Sequence, residues 1–133
     1  MCLTRLKDIS VKTNHNGLIV AYKVVKISRG KMSPIHMSMS KSFRKGWNRD
    51  KYNVELYAND GRIYPSGFHL YLNKSHAFRY SLGWERIWTV VKCLVNPKDV
   101  IVTGMQDYLS GKKSFFPSVI VTKSFWLGEE VLK

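Results

Sequence analysis

Basic residues are concentrated between positions 23 and 51 of this 133-residue sequence, where Asp50 is the only acidic residue. Lysine and arginine side chains neutralise phosphates, and aromatic rings stack on unpaired nucleic-acid bases. The segment therefore predicts an anion-binding surface on which Phe43 and Trp47 stack or anchor. Its charge would come from Lys23, Lys26, Arg29, Lys31, Lys41, Arg44, Lys45, Arg49 and Lys51. The same residues also allow a solvated basic loop with both rings folded onto the core.

Patterns that would support catalysis or metal binding are weak. The four histidines show no metal-ligand spacing, and the two cysteines form no Cys-x2-Cys pair. No glycine-rich phosphate-binding loop occurs, and the nine carboxylates include no obvious pair to hold a catalytic cation. We therefore predict no catalytic residue, no metal and no cofactor.

A small ligand pocket is a second candidate site. His69 lies between apolar residues of a predicted strand, which favours a satisfied, partly buried histidine over a pocket role. Cys93 is expected to be a small core residue. Trp84, Trp88 and Trp126 are expected to be in the core or half-buried, because large rings dominate small cores. If a pocket forms, its candidate lining residues are Tyr22, His69, Tyr71 and Tyr80.

Composition limits the class of protein. The chain carries 22 basic and nine acidic residues, a net charge of +13, and 44% of its residues are hydrophobic. This content can fill the core of one domain, residues 1–133, and it excludes a wholly disordered chain. No apolar run approaches the ~20 residues of a membrane-spanning helix, and the first residues lack the apolar stretch of a secretory signal. We expect a cytoplasmic protein that binds anionic partners and no membrane.

Strand and turn patterns dominate the chain. Residues 18–27 and 87–95 are rich in β-branched side chains and predict core strands. Asn73 is a suitable N-cap for a helix over residues 74–82. The stretch 30–53 has no clean periodicity and predicts a long basic loop. We expect an α+β single domain, mostly antiparallel sheet with one central helix, whose further strands lie at residues 54–57, 68–72, 100–104 and 118–126.

The chain resembles a family of small, mostly uncharacterised phage-type proteins. The likeness rests on residues 64–71 (Tyr-Pro-Ser-Gly-Phe-His-Leu-Tyr) and 90–93 (Val-Val-Lys-Cys). A Met-Cys-Leu start, a Tyr-Lys-Val strand (here 22–24) and a Gly-Phe-His strand recur in that order in the family. The resemblance implies a virus-encoded accessory protein acting in the host cytoplasm. Small proteins of this kind often inhibit host defence, by binding CRISPR complexes or by capturing nucleotide signals.

A local resemblance also links residues 67–80 to the ADP-ribosyltransferases, in which a Gly-aromatic strand leads to a Lys-Ser-Ala-x-Tyr helix. It implies a nucleotide-binding fold. The first core strand offers no His-Gly or arginine at 22–24, and residues 118–126 contain no glutamate at the family's catalytic position.

Three functional hypotheses follow from these observations. The sequence favours a small basic binding protein of phage type that engages nucleic acid, a ribonucleoprotein or a phosphorylated nucleotide. Its role would be inhibition of host defence, as an anti-CRISPR protein or a nucleotide-signal sponge. The first alternative is an ADP-ribosyltransferase-like, NAD-binding enzyme or pseudoenzyme. The second is an inhibitor that docks on an acidic surface of a host complex.

Overall fold

A computed structural model gives the fold of this chain. It describes residues 3, 5–33, 42–50, 54–58, 60–82, 88–106, 108–110, 113–115 and 117–131. The elements, in chain order, are the strands β1 (Arg5–Leu6), β2 (Ile19–Ser28), β3 (Lys31–Ser33), β4 (Gly46–Arg49), β5 (Glu55–Tyr57), β6 (Ile63–Pro65) and β7 (Phe68–Tyr71), then helix α1 (Lys74–Leu82). They continue with β8 (Trp88–Val95), a 3-10 turn (Pro97–Asp99), β9 (Val100–Met105), β10 (Tyr108–Ser110), β11 (Lys113–Phe115), β12 (Ser118–Thr122) and β13 (Ser124–Val131).

Within the described part of the chain, nine strands form one antiparallel sheet in the order β1-β9-β12-β7-β2-β8-β13-β4, with β3 paired to β2. The strand pairs β5-β6 and β10-β11 form two separate two-stranded sheets. The expectation of a small single domain with mostly antiparallel sheet and one short helix is confirmed. The helix spans the predicted residues, and Asn73 caps it because its Oδ1 accepts a hydrogen bond from the Ser75 backbone N–H at 3.0 Å.

The stretch 30–53 contains strands where the sequence analysis placed a loop. Its described residues include β3 and β4, and Met32 forms an isolated bridge with Phe43. Residues 34–41 and 51–53, with Lys41 and Lys51, lie outside the described residues. The strands arise because Met32 and Phe43 pack against buried core residues, a tertiary contact that local periodicity does not reveal.

The predicted strand 118–126 is in fact the two strands β12 and β13, separated by Lys123 alone. These strands lie four places apart in the strand order, although only one residue joins them. The five strands β12-β7-β2-β8-β13 must therefore form a strongly curved part of the sheet that brings β12 and β13 together, and we refer to this part as the curl. Asp99 holds the corner, because its backbone carbonyl accepts from the Lys123 N–H at 3.0 Å. Its carboxylate accepts from the Ser124 hydroxyl at 2.6 Å.

Side chains alternate across this sheet and form two cores. The second core receives side chains from all five strands of the curl and therefore fills its inside: Ile19, Ala21, Val25, Leu70, Val91, Cys93, Val95, Ile120, Phe125 and Leu127. The first core lies on the outer face and includes Ala77 of α1: Leu3, Val24, Ala58, Tyr64, Tyr71, Ala77, Val90, Val119 and Val121. No described residue of β13 belongs to the first core, so its outer face is not packed there.

Gly67, just before β7, allows a close approach of two strands. A Cβ at this position would lie 2.8 Å from the backbone oxygen of Thr122 and 2.8 Å from Cγ1 of Val121. We expect Gly67→Ala to lower the free energy of unfolding by about 1–3 kcal/mol, because buried overpacking forces neighbouring backbone to shift. Urea unfolding measures this change, and an unchanged midpoint would contradict the packing described.

Candidate functional site

Two exposed tryptophans lie side by side on the outer face of the sheet. Strand β4 forms an edge of the sheet and pairs with β13, so that Trp47 lies directly opposite Trp126. Their side chains are 46% and 38% exposed. The neighbouring pair, Asn48 and Phe125, is buried. Because successive side chains of a strand point to opposite faces, both indoles point outward, whereas the side chains of Asn48 and Phe125 point inward and anchor the two strands.

The backbone pattern brings this pair close together. The Asp50 N–H donates to the Lys123 carbonyl at 2.8 Å, which makes these opposed residues a hydrogen-bonded pair. Because such pairs alternate along an antiparallel ladder, Trp47 and Trp126 occupy a non-hydrogen-bonded position. Opposed Cα atoms at such positions approach to roughly 4.5 Å, closer than in hydrogen-bonded pairs. The Cα atoms of the two tryptophans are therefore close neighbours, and both indoles project from the same face of the sheet.

Gly128 sets the position of the Trp126 ring. A Cβ on Gly128 would lie 2.9 Å from Cζ3 and 3.2 Å from Cη2 of that indole. The ring therefore extends along β13 over the glycine, in space that any other residue would occupy. A half-exposed ring held in this way presents apolar surface at little cost in conformational entropy, because its rotamer is already restricted.

The turn before β4 places cations beside the tryptophans. The buried Asn48 side chain holds this turn, because its Oδ1 accepts from the Arg44 N–H at 3.0 Å and its Nδ2 donates to the Arg44 carbonyl at 2.8 Å. Gly46 supplies the required positive φ of 90°. The Arg44 side chain returns to the edge strand, where its Nε donates to the Trp47 carbonyl at 3.3 Å.

Arg49 completes the positive rim, since it is exposed and shares the outer face of β4 with Trp47. Lys45 is exposed in the turn. The nearest acid along the chain, Asp50, is engaged by Lys123 at 3.9 Å. We refer to Arg44, Lys45, Trp47, Arg49 and Trp126 as the tryptophan site.

Lys23 does not lie with these surface bases, which corrects its place among the predicted anion-binding residues. It occupies an inward position of β2 and is 8% exposed. Its Nζ donates to the His69 carbonyl at 3.1 Å and lies 5.7 Å and 5.9 Å from the ring centroids of Phe43 and Phe68. Burial lowers the pKa of this amine from 10.5 to about 8.

Phe43 also differs from its predicted role as a stacking residue. It packs edge-on against Phe125, with ring centroids 5.2 Å apart, and against Phe68 at 5.9 Å. The ring is therefore committed to the second core and to the cation–π contact with Lys23, and it is not displayed to a ligand. Of the two aromatic residues predicted to stack, only Trp47 is exposed.

Three further predicted bases, Lys26, Arg29 and Lys31, lie at the β2–β3 hairpin. Arg29 and Gly30 both have positive φ, 53° and 75°, which fits a tight two-residue turn. Arg29 and Lys31 are exposed, and Lys26 is half-buried. These three residues belong to a different hairpin from β4 and β13.

The described side chains among the predicted pocket residues, those of Tyr22, His69 and Tyr71, do not gather around one cavity. His69 is buried, and its Nε2 lies 3.0 Å from the Tyr64 hydroxyl, which also accepts from the Leu3 N–H at 2.8 Å. Burial, and secondly the charge of Lys23, lower the pKa of His69 to about 3. Tyr71 is a core residue, and the side chain of Tyr80 lies outside the described residues. Tyr22 is half-buried opposite Tyr71 and lines a surface groove.

Two further predictions concerned the burial of Trp126 and of Cys93. Trp126 was expected to be in the core or half-buried; it belongs to neither core and is 38% exposed beside Trp47. The sequence signal that could have found it is its alternation with Phe125 and Leu127, both buried. Cys93 is buried as expected, and burial raises the pKa of its thiol to about 12, so it remains protonated.

Across the described ranges, no three His, Cys, Asp or Glu side chains come together to hold a metal ion. No helix in the described part of the chain is long and apolar enough to cross a membrane. Comparison of the chain with protein-family models, curated proteins and solved structures gave no significant match.

Proposed function

We propose that this protein is a small polyanion-binding module that engages single-stranded nucleic acid at the tryptophan site. The observation that carries the proposal is the directly opposed pair Trp47 and Trp126, exposed on an edge of the sheet and rimmed by Arg44, Lys45 and Arg49. An exposed pair of indoles favours a binding surface, because its apolar area gains free energy when a ligand covers it.

The chemistry of the site matches an unpaired strand better than a duplex. Every base has a flat face, and stacking on an aromatic side chain contributes about 1–3 kcal/mol per base. In a duplex those faces are covered by neighbouring base pairs, so the indoles would find no partner there. The guanidinium groups of Arg44 and Arg49 and the amine of Lys45 would neutralise phosphates between the stacked bases.

The biological setting of this proposal comes from the phage-type resemblance of residues 64–71 and 90–93. In that setting the protein acts in the cytoplasm of an infected bacterium and inhibits host defence by occupying the nucleic acid of a ribonucleoprotein, as an anti-CRISPR protein would. A phosphorylated nucleotide signal is the smaller ligand that the same stacking and charge could hold. Binding assays with single strands and with nucleotides separate these two ligands.

The ADP-ribosyltransferase alternative gains no support from the described residues. Its strand and helix segment places His69 and Tyr71 in the core, where His69 is hydrogen-bonded to Tyr64. A nicotinamide ribose would need these side chains at the wall of an open cavity. Docking on an acidic protein surface would use the same cations. The experiment below distinguishes it, because such a protein would bind no nucleic acid.

Charge reversal tests the proposal. We expect R44E/K45E/R49E to weaken binding of an eight-nucleotide single strand at least about 100-fold, because three charge-assisted contacts, each worth about 1.5–3 kcal/mol, become repulsive. The wild-type protein should lose affinity with salt at a log–log slope of about −2, the value for roughly three neutralised phosphates on a single strand. Fluorescence anisotropy with labelled single-stranded DNA, RNA and duplex measures both quantities.

The matched control is K7E/R29E/R62E, which changes the net charge equally at exposed positions outside β4 and β13. This variant should bind within about threefold of wild type at physiological salt, where the Debye length is ~8 Å. Equal loss in both variants would mean that the charge acts generically. Absence of binding to any nucleic acid would refute the proposal and would direct attention to an acidic protein partner.

A further inference from the structure

The tryptophan site continues across the sheet as a row of apolar side chains in register. Trp47 lies opposite Trp126, Trp126 opposite Leu94, and Leu94 opposite Val20. Leu94 and Val20 are half-buried, so the row remains accessible from the outer face. Because neighbouring strands are about 4.8 Å apart, the row spans roughly 14 Å from β4 to β2.

The row ends at a groove. Val20 and Tyr22, on the same face of β2, line this groove together with Leu72 and the segment 10–14, and its volume is about 390 Å³. Tyr22 is half-buried: it packs against the first core and also contributes to the groove lining. Lys12, which also belongs to the groove lining, is exposed, and segment 10–14 contains no acidic residue. The groove therefore combines an aromatic ring with a cation, as the tryptophan site does.

We infer that a single strand bound at the tryptophan site crosses the sheet along this row and enters the groove, where Tyr22 stacks on a further base and Lys12 contacts a phosphate. The inference rests on the proposed function and extends it to a ligand length. Two indoles, the row and the groove together accommodate about four nucleotides, at the lower end of the ~4–16 that small β-sheet modules cover. The occupant is a nucleic acid because the row joins two aromatic and cationic positions, and none of the residues that form the row or line the groove is acidic.

An oligothymidine length series tests this path. With dT2, dT4, dT6 and dT8, we expect affinity to rise more than about tenfold from dT2 to dT4 and to level off beyond it. Lys12→Glu should weaken dT6 binding about tenfold, since one charge-assisted contact becomes repulsive, and should leave dT2 binding unchanged. Tyr22→Leu, which keeps an apolar side chain on β2, should show the same pattern. Arg29→Glu, at the far end of β2, is the control with the same charge change.

The outcomes separate the inference from the proposed function. If dT2 binds as tightly as dT8, and neither Lys12→Glu nor Tyr22→Leu affects dT6, the ligand ends at the tryptophan site and the inference is overturned while the proposed function stands. If no oligomer binds the wild-type protein, the proposed function fails and the inference fails with it. Circular dichroism of each variant confirms that the fold is retained.

Discussion

Replacing Trp47 and Trp126 together by alanine is expected to weaken binding of an eight-nucleotide single strand at least about 30-fold. Each stacked base contributes about 1–3 kcal/mol, so removing two platforms costs at least about 2 kcal/mol of binding free energy. The single variants should each lose about five- to tenfold. Anisotropy titrations at fixed salt give these ratios directly.

The double variant should remain folded, because both rings are exposed and neither belongs to a core. Tyr57→Ala provides a matched control, since Tyr57 is a 63% exposed aromatic residue on β5, outside the tryptophan site. This variant should bind like wild type. A W47A/W126A protein that binds within about threefold of wild type would show that the indoles do not stack on the ligand.

The second large effect concerns the buried amine of Lys23. We expect Lys23→Met to raise the free energy of unfolding at pH 7 by roughly 2 kcal/mol, because the cost of the buried charge, on the order of 3 kcal/mol, exceeds the roughly 1 kcal/mol of the lost hydrogen bond to the His69 carbonyl. Burial lowers the pKa of this amine from 10.5 to about 8, and each pKa unit corresponds to about 1.4 kcal/mol. Methionine has a similar length and fits among the rings of Phe43 and Phe68 without a charge to desolvate.

The pH dependence follows from the direction of the shift. Between pH 8 and 10.5 the unfolded chain holds a proton on Lys23 that the folded protein has lost, so Lys23 makes stability rise with pH across that window. Cys93 partly offsets this rise above pH 9, because burial raises the pKa of its thiol from 9.0 to about 12 and the unfolded chain loses this proton first. Below pH 8 both states are protonated, and the folded state bears the full cost of the buried charge. Urea unfolding at pH 7, 9 and 10.5 measures the net rise, and in Lys23→Met it should give way to a fall in stability above pH 9, the contribution of Cys93.

Lys26→Met is the control for this effect, because Lys26 lies on the other face of β2 and is half-buried. It should keep the alkaline rise of the wild-type protein. The account of Lys23 would be contradicted if Lys23→Met were no more stable than wild type at pH 7 and still gained stability between pH 8 and 10.5.

Local patterns predicted much of the fold. The β-branched runs at 18–27 and 87–95 became β2 and β8, and Asn73 with the helix former Ala77 marked α1. These features depend on residues that are close in sequence, where propensity and capping act. The corner at Lys123 could not be predicted in this way, because Asp99, which holds it, comes from the turn between β8 and β9, and the residues that flank Lys123 favour strand.

The site was predicted only in part, for a similar reason. The sequence grouped Arg44, Lys45, Trp47 and Arg49 as candidates, and these residues do lie together around β4. Lys23 was grouped with them because it lies in the same basic stretch of sequence, 23–51. Strand alternation assigns Lys23 to one face of β2, but it does not show which face the curved sheet encloses. Trp126 was missed as a partner, since its pairing with Trp47 joins residues 79 positions apart.

The most direct test of the account is the response of the four tryptophan indole signals to a single strand in a ¹⁵N-resolved NMR spectrum. The signals are assigned with Trp47→Phe and Trp126→Phe, and dT8 is then titrated to saturation. We predict that the indole N–H resonances of Trp47 and Trp126 shift together with the same dissociation constant as the anisotropy titration. Saturation of the protein with dT8 while both resonances stay in place would contradict the central claim that the ligand binds at the tryptophan site.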